Sequence, residues 1–258
     1  MDTHFAISPD GVRIAYDRRG SGPPLILLHG GGGNRQDWHE AGYTDRLKES
    51  FSVVVVDLRG HGESDLVTDP AAYHEDKMCQ DILAVADACQ FDSFMLWGMS
   101  FGSKVARYLA VKSDRVTKLI LLSATLGTGV SGQLRQDVYA FMEHWPPILE
   151  AQRQGTLDYD SLSEADKQTM DSINVPVVLA WGQAMLDWPI TVPADFHCPT
   201  LWLAGSEDPF AMESLREYQD ELPGSQVQVQ VIPNLDHNQL FEEIDTVFPI
   251  LLAFSGEQ

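Results

Sequence analysis

The chain has 258 residues, 44% of them hydrophobic, enough for one large domain with a substantial core. Its 38 Asp and Glu against 17 Lys and Arg give a formal charge of −21. That charge opposes nucleic acid and anionic membrane surfaces, and it eases the approach of neutral or cationic small molecules.

"HFAIS" and "VRIAYD" flank the turn signal "PDG" and predict a β-hairpin. "PLILLHG", "FSVVVVDLRG", "FDSFMLWG" and "VTKLILLSA" are continuous apolar runs of the kind found in strands buried on both faces of a parallel sheet. Helical patterns over 37–50, 73–90 and 101–112 lie between them, so a mostly parallel sheet flanked by helices is expected. From residue 125 to 196 the rhythm changes. A Gly/Ser/Thr loop, "TLGTGVSG", leads into helical patterns at 133–154, 163–173 and 177–186, although "VPVVLAW" could be read as a strand. This section is taken as a helical insertion of about 70 residues, larger than an ordinary loop. The alternation then resumes with a buried strand "TLWLAG", a helix over 213–222, an edge strand "QVQVQVIP" and a terminal helix with a kink expected at Pro249. Eight strands are expected in all.

The segment "LWGMSFGS" places Ser100 between Gly98 and Gly102, directly after a strand and before a helix. A nucleophilic serine needs that strand–turn–helix context, with little side chain two residues to either side. A serine hydroxyl also needs a base to take its proton and a carboxylate to orient the base. His237, in "NLDHNQL", follows the last strand and precedes the last helix, which puts it at the same sheet edge. "LWLAGSEDPF" supplies Asp208 in the corresponding place, with Glu207 beside it as a possible substitute and helix capping as an alternative role for Asp208. For the charge that acyl transfer builds on a carbonyl oxygen, the backbone N–H of Phe101 and one from the glycine loop "HGGGGN" at Gly31 are the candidate donors.

Together "LILLHGGGGNRQDW", "VVVVDLRGHGESD", "LWGMSFG", "LWLAGSEDP" and "NLDHNQLFEE" resemble the α/β-hydrolase fold superfamily across nearly all of the chain except the insertion. The resemblance implies an α/β-hydrolase core over 1–124 and 197–258, a helical cap over 125–196, and a Ser-His-Asp hydrolase built on Ser100, His237 and Asp208. It assigns Asp57, Arg59, Gly60, Gly62 and Ser64 a mainly structural part. A serine at the elbow sets the chain apart from the dehalogenase and epoxide-hydrolase branches, which carry aspartate there. Met99, before the serine, departs from the polar or aromatic residue frequent in relatives and bears on the pocket floor.

The expected reaction is cleavage of a small, neutral, fairly apolar ester or lactone, with a carbon–carbon bond hydrolase or a slow-turnover receptor as alternatives. Candidate pocket residues are Met99 and, from the cap, Phe141, Trp145, Trp181 and Trp188. No cofactor is implied. "GTGVSG" matches G-x-G-x-x-G but is not followed by a strand ending in an acidic residue, neither His39-Glu40 nor His74-Glu75 continues as HExxH, and no "GK" of a P-loop occurs. Cys79, Cys89 and Cys198 form no CxxC pair and read as buried thiols. With no signal-peptide pattern and no apolar run near the roughly 20 residues of a membrane span, a cytoplasmic location and a small-molecule partner are expected.

Overall fold

The runs of valine and leucine account for the centre of the architecture. In the computed structural model, which describes residues 2–256, they become adjacent strands that are buried throughout apart from Pro24 and the start of β6, where Thr117 is exposed. Strands β1 (His4–Ile7), β2 (Arg13–Arg19), β3 (Pro24–Leu28), β4 (Ser52–Val56), β5 (Phe94–Met99), β6 (Val116–Leu122), β7 (Thr200–Gly205) and β8 (Val227–Ile232) form one sheet, in the order β1-β2-β4-β3-β5-β6-β7-β8. β1 pairs with β2 and β2 with β4 antiparallel, and the remaining pairs are parallel. Alternate residues of each central strand enter opposite core layers, as the period of two requires. Ile26, Leu28, Val54, Val56 and Leu96 pack with Met78, Ile82, Val105 and Leu109 of helices Glu75–Ala88 and Phe101–Lys112. Leu25, Leu27, Val53, Val55 and Trp97 pack on the other face with Trp38, Tyr43, Val247 and Leu251.

Two of the expected helices are each broken in two, and the segment with two readings is resolved. The expected helix over 37–50 is two short ones, Gln36–Glu40 and Tyr43–Leu47, broken where Gly42 takes φ +83°. The terminal segment breaks at Glu243 into Gln239–Glu242 and Ile244–Ser255, whereas Pro249 stays inside the second helix on its exposed side, where its ring meets solvent. "VPVVLAW" is helical, in Val175–Met185, because Asn174 caps it by accepting the Val177 N–H (3.2 Å) and Pro176 falls in the first turn, where its missing N–H costs nothing.

Between β6 and β7 the chain forms helices Gly132–Arg153, Glu164–Ser172 and Val175–Met185. The two ends of this segment meet. Gly127 and Thr191 exchange backbone hydrogen bonds of 2.8 and 2.9 Å, so the "GTGVSG" glycines belong to a neck and not to a dinucleotide turn. Arg107, fully buried on helix Phe101–Lys112, donates to Gly127 O (3.0 Å), Thr191 Oγ1 (2.8 Å) and Thr128 O (2.6 Å). Tyr108 Oη donates to Pro189 O, and Trp188 Nε1 to Tyr73 O (2.9 Å). Among the described residues no helix is long and apolar enough to cross a membrane.

Arg107→Met would strip the neck of its donors and leave buried carbonyls unpaired. We expect a loss of about 3 kcal/mol of stability and faster proteolytic cleavage within 128–190, read by urea unfolding and timed digestion.

Candidate active site

β5 delivers the chain to Ser100, which holds φ +50° and ψ −109°, a region that L-residues rarely adopt. The turn is this sharp because strand and helix nearly touch. A Cβ on Gly98 would come within 2.5 Å of the Gly102 backbone, and one on Gly102 within 2.4 Å of Leu28 O. Ser100 occupies the N-cap position of helix Phe101–Lys112, yet its side chain caps nothing. Its hydroxyl instead lies 2.9 Å from His237 Nε2.

His237 sits on the loop after β8, and its Nδ1 lies 2.8 Å from Asp208 Oδ2. Burial alone pushes the Asp208 carboxyl upward. The hydrogen bond and charge of His237, with the Ala211 N–H and the Ser123 hydroxyl, outweigh that and hold it below the ordinary value. An ionised carboxylate only accepts, so Nδ1 carries the proton and Nε2 is left to accept from Ser100. Asp208 performs both roles that the sequence left open. Its Oδ1 caps helix Pro209–Tyr218 by accepting the N–H groups of Phe210 and Ala211, each at 3.1 Å, while Oδ2 holds His237. That cap starts the helix at 209, ahead of the expected 213. Glu207 bonds Ser206 Oγ (3.2 Å), and Asp236 caps the N–H groups of Asn238 and Gln239.

Opposite Ser100, the glycine loop leaves the end of β3. A Cβ on Gly30 would lie 3.7 Å from Ser100 Cβ, and one on Gly31 would lie 3.5 Å from Phe101 Cβ and 3.3 Å from the Trp181 ring. The backbones of Gly31 and Phe101 are therefore neighbours beside the serine, with Trp181 over them, stacked on Phe101 at 4.7 Å between ring centroids. Two histidines brace the loop. His29 Nε2 accepts the Leu58 N–H (3.0 Å), so its Nδ1–H donates to Gly30 O (2.7 Å). Burial, reinforced by the charge of His61, lowers the His29 pKa to about 3. His61 Nε2 accepts from Gly32 N–H (3.4 Å). Asp57 accepts from the N–H groups of Arg35 (2.7 Å) and Glu63 (2.8 Å), which ties down the following turn.

A cavity of about 440 Å³ adjoins the serine turn, with Gly30, Gly31, Met99, Asp37, Glu40 and Glu242 in its wall; Ser100, Phe101 and His237 do not line it. A second, apolar cavity of about 160 Å³ lies between helices Gly132–Arg153 and Val175–Met185, with Phe141 and Trp181 in its wall. Trp145 and Trp188 line neither. Trp145 is buried against Phe141 and His144, and Trp188 is buried against Tyr108 and Phe101, so both are packing groups.

A family model described as alpha/beta hydrolase fold matches residues 23–244. The chain belongs to that family. It is 28% identical over 280 aligned positions to the AB hydrolase superfamily protein YisY of Bacillus subtilis, covering 98% of this chain and 99% of the relative. It is 30% identical over 145 positions to a 2-hydroxymuconate semialdehyde hydrolase of Pseudomonas sp., covering 55% of this chain and 50% of the relative. Among solved structures, a malate-bound thermophilic esterase from Thermogutta terrifontis superposes with a TM-score of 0.76 at 24% identity over 98% of each chain. A carboxylesterase structure from Nitrososphaera gargenis gives 0.79 at 20% identity, again over 98% of each. At these identities the structures speak for the fold.

The pattern reading missed the carboxylates of the larger cavity and the part played by Ser123. Asp37 and Glu40 stand three apart and share a helix face, a detectable spacing, but Glu242 reaches them from 200 residues away. Away from the serine, His74, Glu75 and Asp76 form a triplet with metal-ligand spacing, and the Lys112 ammonium already pairs with both of its carboxylates.

His29 makes stability depend on acid. Its folded pKa lies below the unfolded value, so the unfolded chain binds more protons between about pH 6.5 and 3. The stability is complete above that window and falls through it. From pH 7 to pH 5 we expect a loss of about 2 kcal/mol from this group, seen as a lower urea midpoint. His29→Gln should be less stable at pH 7 yet lose less on acidification.

Proposed function

We propose that the protein is a serine hydrolase that cleaves a small, neutral, fairly apolar carboxylic ester or lactone through an acyl-enzyme on Ser100. The observation that carries the reading is the unbroken relay from Ser100 Oγ to His237 Nε2 (2.9 Å) and from His237 Nδ1 to Asp208 Oδ2 (2.8 Å). In this reading Ser100 attacks the carbonyl carbon as His237 takes its proton, and the tetrahedral oxyanion is held by the Gly31 and Phe101 N–H groups. The imidazolium returns the proton to the leaving alcohol. Water, deprotonated by His237, then releases the acid. Asp208 keeps the tautomer that makes Nε2 the base.

Segment 125–196 acts as the cap in this scheme, with 1–124 and 197–258 as the core. The Trp181 contact with Phe101 supports it. The carboxylates facing the larger cavity support an uncharged substrate over an anionic one. A protein of this charge with a small-molecule substrate and no cofactor fits the cytoplasm. A carbon–carbon bond hydrolase is the second reading, favoured by the likeness to the 2-hydroxymuconate semialdehyde hydrolase. It would use the same relay. Serine at the elbow supports acyl transfer over the epoxide opening named for some relatives.

A fluorophosphonate should label Ser100, and Ser100→Ala or Asp208→Asn should lower ester turnover by a factor on the order of 10³ or more with the fold intact. Labelling at another residue, or unchanged turnover in Ser100→Ala, would refute the nucleophile.

In a panel of p-nitrophenyl esters, acetate and butyrate should exceed the anionic hemisuccinate in kcat/KM by about tenfold or more, and Glu242→Gln should narrow that gap. A preference for the anion would exclude the substrate class proposed.

A further inference from the structure

β6 ends at Leu122, and the next residue, Ser123, is buried and holds φ +49°. Serine is uncommon in this left-handed region, which glycine adopts without penalty. A strained residue that persists is held there by its surroundings, and such residues gather at functional sites. On this sheet edge the other non-glycines with positive φ are Ser100, directly after β5, and Asn234, two residues after β8 in the loop that leads to His237.

The contacts of Ser123 show what the conformation achieves. Its N–H donates to Leu203 O of β7 (3.0 Å), which fixes its main chain. Its hydroxyl donates to the carbonyl of His237 (3.0 Å), across a separation of 114 residues. We infer that Ser123 is a positioning residue for the His237–Asp208 pair, its hydroxyl anchoring the main chain of His237 so that Nε2 stays on Ser100 Oγ. The inference rests on the acyl-transfer reading above. It involves Asp208 as well. Burial raises the carboxyl, and the donors that offset it are His237, the Ala211 N–H and the Ser123 hydroxyl. A hydroxyl has one proton, so the His237 carbonyl and the Asp208 carboxylate compete for it. The groups facing the imidazole are then Ser100, Asp208, the Ser123 hydroxyl through the main chain, and the Phe210 ring edge-on at 6.1 Å.

A space-filling residue at a strand end would need no hydroxyl. Ser123→Ala removes the hydroxyl and keeps the strained backbone, while Ser123→Gly removes both and guards against misfolding of the alanine variant. Each is followed by circular dichroism, by the rate of fluorophosphonate labelling of Ser100 from pH 5 to 9, and by the NMR signal of the His237 Nδ1 proton. We expect both variants to fold and to label about tenfold more slowly at the plateau. We also expect the midpoint of the pH profile to move in both, because the hydroxyl removed anchors His237 and stands beside its Asp208 partner. The Nδ1 proton should move and exchange faster in both. Folded variants with the parent's rate, midpoint and Nδ1 signal would overturn the inference, as would a change confined to the glycine variant, which would assign the effect to strain. Failure of the parent to label at Ser100 would strike instead at the hydrolase reading, and the Nδ1 signal would still decide the positioning.

Discussion

The approach of helix Phe101–Lys112 to β3 and β5 is tighter than any side chain permits, and the arrangement of the sheet edge follows from it. Gly98 and Gly102 leave no Cβ in the gap, so the turn between them is forced into a conformation that costs about 1–3 kcal/mol. That cost is offset by burial on both sides of the turn: every residue of β5 is buried, and so are the first ten of the helix. The strain has a geometric product. It turns a hydroxyl that would otherwise cap its own helix outward, to where a histidine from the far end of the chain can meet it. The same tightness brings the glycine loop against Phe101, because that loop leaves the neighbouring strand at the same height.

Asp208 couples the proposed chemistry to the fold. One oxygen starts a helix and the other fixes a tautomer, so the carboxylate is held from two sides before any ligand arrives. Its low pKa is the electrostatic signature of that double use. The glycine loop is treated in the same way by His29, whose neutral ring is locked between two backbone groups. Preorganisation of this kind leaves little to be reorganised when charge develops on a substrate.

Much of this was legible in the residues. Continuous apolar runs marked the five strands β3 to β7, the alternation of "QVQVQVIP" marked the edge, and the glycines around Ser100 carried the turn. The sheet and the family follow from those features. The places that resisted share a physical cause, since each is decided by contacts between segments distant in the chain. Trp145 and Trp188 have the composition of pocket residues, but a partner carbonyl at Tyr73 and the neighbouring rings decide that they pack. Ser123 carries no local signal because its conformation is set by β7 and the His237 loop. The break at Glu243 is a backbone turn, φ −79° and ψ +57°, in a segment with no local breaker, and Pro249 stays within its helix on the exposed side. Asp208 was ambiguous in sequence because both of its roles are real.

The neck at Gly127 and Thr191 has a consequence for how this chain can change. The segment it closes departs and returns at one point above the sheet, held there by the Gly127–Thr191 backbone bonds, the buried Arg107 guanidinium and the Tyr108 hydroxyl, the last two on the helix that begins at the serine turn. The entropy of closing such a loop grows only slowly with its length. A longer, shorter or wholly different segment could therefore be grafted at the neck without disturbing strand register or the histidine loop. In evolutionary terms it behaves as a cassette, free to diverge while the sheet beneath it stays fixed.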